Sequence, residues 1–253
     1  MSTVDKLLKA AFVLLTKQTS AMQKNIFIVG ASSGIGRQTA LDLAKEGHQV
    51  YGTFNDHECP NSQNISYHKM NVLDENPDFG FLPEQLDGLI FCPGSISLRP
   101  FGRIKPEDFA ADFQLQVLGA VKAIQAALPM LKKSDNASIV LFSTVAVQLG
   151  LGFHSQVAVS KGAIEGLCRS LAAEFAPKIR VNCIAPSLTD TALAANLLNT
   201  AEKKEANAQR HPLKKIGQPQ DIANLASFLI SDKSAWMTGQ IIHLDGGIGS
   251  IRS

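Results

Sequence analysis

Three glycines within seven residues are the first feature of this sequence with a chemical consequence. Gly30, Gly34 and Gly36 stand in Val29-Gly30-Ala31-Ser32-Ser33-Gly34-Ile35-Gly36-Arg37. The apolar run Ile26–Val29 leads in, and a helix-like pattern of Leu41, Leu43 and Ala44 leads out and ends at Gly47. That order reads as a buried strand, a tight turn and a helix start. The first N–H groups of a helix have no partner within it, and the helix dipole leaves partial positive charge there. A pyrophosphate fits at that end when the nearby residues lack side chains. The glycines supply this room, although their spacing differs from the commoner G-x-G-x-x-G. A glycine turn that merely joins strand to helix is the plain alternative.

Other chemistries find less support. The four cysteines, Cys59, Cys92, Cys168 and Cys183, have neither metal-ligand nor disulfide-framework spacing, so no metal site is expected. They read as free thiols of a reducing compartment, which implies a cytoplasmic location. With 24 Lys and Arg against 22 Asp and Glu, charge is near balance and no basic stripe invites nucleic acid. No apolar stretch reaches the ~18–20 residues of a membrane helix.

A chain of 253 residues fits one large α/β domain, placed at 22–253. Residues 1–21 stand apart as an appendage. Val4, Leu7, Leu8, Ala11 and Leu15 recur there at helical spacing, as in a short amphipathic arm. Strands are expected at Ile26–Val29, Gln49–Phe54, Ile65–Met70, Gly88–Cys92, Ser138–Thr144, Ile179–Ile184 and Gly239–Leu244. Helices are expected after the glycine turn, over about 105–133 with a break near Pro129, over 155–175, and at about 190–208 and 219–231. Strands alternating with helices imply a parallel sheet covered on both faces, with right-handed crossovers. Ligands of such sheets bind beyond the carboxyl ends of the strands. Gly30, Asn71, Pro93-Gly94, Ser143-Thr144 and Pro186-Ser187 all collect at that edge. Each also has the bland reading of an ordinary turn residue.

On these residues the sequence resembles the short-chain dehydrogenase/reductase family over essentially all of residues 24–247. Gly30-x-x-x-Gly34-x-Gly36, with Ser32, Ser33 and Ile35, resembles its cofactor loop, and Asn71-Val72 its adenine-contacting Asp-Val pair. Phe91-Cys92-Pro93-Gly94 takes the place of an Asn-Asn-Ala-Gly turn and keeps only the last glycine. The segment Val181–Pro186, followed by Thr189 and Thr191, is similar to the stretch that lies against the nicotinamide. Pro212–Pro219 with Asp221-Ile222-Ala223, and Thr238-Gly239-Gln240 through Asp245-Gly246-Gly247, are the most specific matches. The resemblance implies a Rossmann-like, doubly wound sheet of seven parallel strands with helices on both faces. It also implies a nicotinamide dinucleotide, a small carbonyl or alcohol substrate, and a homo-tetramer or homo-dimer.

The chemistry departs from that family's Asn, Ser, Tyr and Lys. Lys161, in Val159-Ser160-Lys161-Gly162-Ala163, matches the lysine, but Val157 stands four residues earlier where the tyrosine belongs. The chain's two tyrosines, Tyr51 and Tyr67, lie far upstream. The family's spacing puts Thr144 in the serine role, and Gln116 stands where the helix asparagine would be. His154, Val157 and Lys161 fall at i, i+3 and i+7 if a helix begins by about 154, so an imidazole one turn before the vacant position could reach the substrate. A histidine that only hydrogen-bonds a loop is the alternative. The residue 18 past Gly36, where a ribose-selecting acid would fall, is Phe54, with Asn55 next. That slightly favours NADP over NAD, although Asp56 follows and could reverse the preference. Two functions remain open: an atypical NAD(P)-dependent oxidoreductase with protons handled by His154 or by a water held by Lys161 and Thr144, or a non-catalytic dinucleotide-binding sensor or assembly protein. The segment 188–211, with Leu193, Leu197 and Leu198, is expected to form a mobile lid over a hydrophobic substrate.

Overall fold

The computed structural model describes residues 23–251, so the arm expected over 1–21 and the start at Met22 lie outside the described residues. Seven strands form one parallel sheet: β1 Asn25–Val29, β2 Gln49–Phe54, β3 Ile65–Lys69, β4 Gly88–Phe91, β5 Ala137–Phe142, β6 Ile179–Pro186 and β7 Ile241–Leu244. Their spatial order is β3-β2-β1-β4-β5-β6-β7. The order reverses between β1 and β4, which is the switch point where such sheets open a crevice.

Side chains alternate across a strand, and the central strands are apolar on both faces. Phe27, Val29, Leu89, Phe91, Ile139 and Leu141 face one layer of helices, with Ile124, Leu131 and Ile164. Ile26, Ile28, Ile90, Val140 and Phe142 face the other, with Leu43, Ile222 and Leu229. The first layer holds α2 Pro106–Phe113, α3 Gly119–Leu131 and α5 Ser155–Phe175; the second holds α1 Gly34–Lys45 and α7 Pro219–Ile230. A single turn, α4 Ala146–Leu149, follows β5, and α6 Ala201–Gln209 precedes α7. Among the described residues no helix is long and apolar enough to cross a membrane.

Two expected boundaries move. The helical region over 105–133 is interrupted not at Pro129 but by a π turn at Gln114–Leu118. Pro129 lies in the last turn of α3, which ends two residues later; there the missing N–H removes one hydrogen bond without disturbing turns beyond it. The helix expected over 190–208 divides into a 3-10 stretch, Ala192–Leu197, and α6, whose N-cap Thr200 accepts a hydrogen bond from Lys203 N–H. The sole tryptophan, Trp236, stands before β7 and is 99% exposed.

Candidate functional site

The glycine turn joins β1 to α1 as expected. Gly30 and Gly34 have φ of +76° and +51°, the left-handed region that favours glycine. Gly36 is required for a different reason: a Cβ there would lie 2.2 Å from the carbonyl oxygen of Gly30. The N-cap, Ser33, makes no side-chain cap bond and the first turn carries no acid, so the leading N–H groups of α1 are open to an anion. Gly30 N–H donates to Thr53 Oγ1 at 3.1 Å and Ala31 N–H to Thr53 O at 2.8 Å, which fixes the turn against β2.

A cleft of about 550 Å³ runs from this turn along the sheet edge. Gly30, Ser32, Ser33, Gly34, Ile35 and Gly36 form its first wall. Asn55, Asn71, Val72, Cys92, Pro93, Gly94 and Thr191 are among the other residues that line it. Asn71 is held in an Asx turn, its side chain accepting from Leu73 N–H and donating to Asp74. At the far end Asn55 donates to the Asp56 carboxylate at 3.0 Å, and Asp56 also lines the cleft. Burial pushes the Cys92 thiol up to about 12, so it stays protonated.

A second cavity of about 290 Å³, mostly apolar, continues from the cleft and shares Ile35, Cys92, Gly94, Thr191 and Leu193 with it. Thr144, His154, Val157, Lys161 and Gln116 all line it, as do Pro186 and Thr189, so the sequence-predicted residues do converge. Thr144 follows β5 and accepts from Ala146 N–H at 3.3 Å. Val157 is buried at the wall and brings no polar atom. His154 is the N-cap of α5 rather than a residue of its first turn, so the stripe with Val157 and Lys161 survives with the ring at its outer end. The His154 ring lies with Nδ1 2.6 Å from Gly152 O. Lys161 is buried, and burial lowers its ammonium to about 8; the nearby Cys183, Asp112 and Cys92 act in the opposite direction.

Three features escaped the sequence reading. Asp112, at the end of α2, is a buried carboxylate that accepts from Ser95 Oγ, from Ser160 Oγ at 2.6 Å and from Gln116 Nε2 at 2.8 Å. It thereby ties the π turn to the residue preceding Lys161. Secondly, Gln116 Oε1 is buried without a partner. A Cβ on Gly94 would lie 3.4 Å from that oxygen and 3.6 Å from Lys161 Nζ, so both atoms border the space that the glycine leaves open. Thirdly, Ser187 Oγ lies 2.8 Å from His211 Nε2, and both residues line the cavity. A lone aspartate on a helix and a histidine before a proline carry no sequence signal of their own.

Comparisons with known proteins bear on this geometry. A family model described as enoyl-(acyl carrier protein) reductase matches residues 81–249. A tropinone reductase homolog from Arabidopsis thaliana is 32% identical, spanning 91% of this chain and 94% of its own length. A 3-oxoacyl-(acyl-carrier-protein) reductase, FabG, from Thermotoga maritima is 30% identical over 89% of this chain and 97% of its own. Among solved structures, ElxO with NADP bound aligns with a TM-score of 0.78 at 28% identity, covering 91% of this chain and 100% of that one.

Proposed function

The chain belongs to the short-chain dehydrogenase/reductase family, and from that premise we propose that it is an NAD(P)-dependent oxidoreductase that interconverts an apolar ketone and its secondary alcohol. The observation that carries the reading is the continuity of two spaces: a glycine-walled cleft with open helix N–H groups leads into an apolar cavity with Lys161 and Thr144 on its wall. The residues present fit a dinucleotide. The α1 N-terminus would hold the pyrophosphate, Asn71 and Val72 would border the adenine, and Lys161 with the unpartnered Gln116 Oε1 would offer a donor and an acceptor to ribose hydroxyls. When bound, the nicotinamide supplies or accepts a hydride. Thr144 polarises the substrate carbonyl through its hydroxyl. The substrate class follows from the apolar walls, with Leu188, Leu193 and Leu197 over the cavity, and from relatives whose names specify ketone reduction.

Asn55 and Asp56, both on the cleft wall, would read the 2′ position of the coenzyme. The sequence argument for NADP, that Phe54 is no acid, meets an acid two residues later, and no Lys or Arg lines the cleft among the described residues. Asp56 therefore tilts the site toward NAD, and the two coenzymes compete on that carboxylate. The family also supplies the assembly we propose, a homo-dimer or homo-tetramer of the 27.1 kDa chain.

The test is titration of the purified chain with NADH and NADPH by fluorescence or calorimetry, followed by turnover of a ketone panel. Binding with reduction of an apolar ketone is the expected result. No uptake of either coenzyme at millimolar concentration would end the reading. Binding without any turnover would instead favour a non-catalytic sensor or assembly role, the alternative that the buried aliphatic Val157 supports.

A further inference from the structure

Ketone reduction needs a group that exchanges a proton with the substrate oxygen, and Val157 offers none. One pair of side chains on the cavity wall is already arranged for that exchange. Ser187 follows β6, and His211 lies beyond α6. Nδ1 of His211 is 2.8 Å from the carbonyl oxygen of Asn207, while Nε2 is 2.8 Å from Ser187 Oγ. A carbonyl only accepts, so Nδ1 carries the hydrogen. In the neutral ring Nε2 is then the lone-pair nitrogen, and the Ser187 hydroxyl donates to it. The ring is 4% exposed and oriented by a third group, which is how a hydroxyl is coupled to a base. The pair is also close to Thr144: β5 and β6 pair through Phe142 and Ile184, and Val145 N–H donates to Pro186 O at 3.2 Å. By contrast, the His154 ring is half-buried and has one hydrogen-bond partner, at Nδ1.

We propose that Ser187 and His211 are the proton-transfer pair of this site, with Ser187 the catalytic residue that touches the substrate oxygen and His211 acting through it. The assignment rests on the oxidoreductase reading above. During alcohol oxidation the alcohol O–H bond breaks, its proton passes to Ser187 Oγ, and the proton that Ser187 held passes to His211 Nε2. The carbinol C–H bond breaks with its electron pair, leaving as hydride to the oxidised nicotinamide, and the C=O π bond forms. Reduction reverses each transfer, the imidazolium returning its proton through Ser187. Around the ring, Arg210 lines the cavity, while Lys215, Asp221 and Asp245 line the space behind it. The Asp245 carboxylate is taken up by the N–H groups of Gly247 and Gly249, so Ser187 remains the side-chain partner of Nε2.

The experiment has two arms, both on the full chain. Histidine 15N spectra of coenzyme-free protein near neutral pH read the tautomer without any turnover. The Nδ1–H form is expected, with an Nε2 resonance that moves in Ser187→Ala; an Nε2–H form overturns the proposal. In the second arm, on a ketone that the wild type reduces, Ser187→Ala and His211→Gln should each lower kcat about 100-fold or more. KM and NAD(P)H affinity should stay within about threefold, which separates loss of proton transfer from loss of binding. Ser187→Thr keeps a hydroxyl and should retain most of the activity. A Ser187→Ala enzyme with full kcat overturns this pair while leaving the oxidoreductase reading intact. A wild type that reduces nothing removes both.

Discussion

Lys161 is an amine that the fold keeps from water, and two consequences follow at the level of the single residue. Its ammonium falls to about 8 in the folded chain, against the ordinary ~10.4 that applies when the chain is unfolded. Between those values the unfolded chain binds more protons, so stability rises with pH across that window. Below it the burial of charge costs its full amount, on the order of 3 kcal/mol. Lys161→Met is therefore expected to melt higher than wild type at neutral pH, with the difference shrinking as pH approaches 10, and to bind coenzyme more weakly. Thermal melts across that pH range, beside a coenzyme titration, check both halves. Val157 invites the opposite experiment. Val157→Tyr restores a phenol one helical turn before Lys161, and ketone reduction should rise at least tenfold, about 1.4 kcal/mol of barrier, if the surrounding frame is competent. Unchanged kinetics with intact coenzyme binding would mean that the frame no longer presents the substrate to that position.

At the scale of the element, the glycine turn is the most constrained piece of backbone. Gly36→Ala forces a methyl group to within 2.2 Å of the Gly30 carbonyl, which belongs to backbone already held by β2. A loss of about 3 kcal/mol in stability is expected, together with loss of coenzyme binding, and chemical denaturation with a parallel titration measures it. This turn was legible from sequence because strand, turn and helix start are adjacent and each carries its own residue code. The same holds for α5, whose span over 155–175 agrees with the sequence reading, with Pro177 beyond its end. The π turn was not legible. One widened turn leaves the apolar periodicity on either side intact, so Gln114–Leu118 reads as ordinary helix, and proline drew the expected break to 129 instead. Likewise, Asp112 and Ser160 are 48 residues apart, and Ser187 and His211 are 24 apart, so only tertiary structure brings either pair together. Thr144, Lys161 and Gln116 could be named in advance because a family resemblance supplied their register, whereas His154 was reached from its helical spacing to Val157 and Lys161.

For the whole molecule, the sheet order and the two apolar layers follow from alternating apolar runs and intervening helices, and the seven expected strands are all present. Asp56→Ala should shift preference toward NADPH by about tenfold, about 1.4 kcal/mol, since it removes a carboxylate from the cleft wall that would repel a 2′-phosphate bound there; a competition titration measures it. Light scattering should return a mass of two or four times the 27.1 kDa protomer.

The single indole of this chain is wholly in water and precedes an edge strand, β7, far along the chain from the glycine turn. Its emission colour is therefore a built-in gauge of that edge. A red-shifted spectrum at high dilution that turns blue on concentration would follow one copy settling on another, without a dye or an added label.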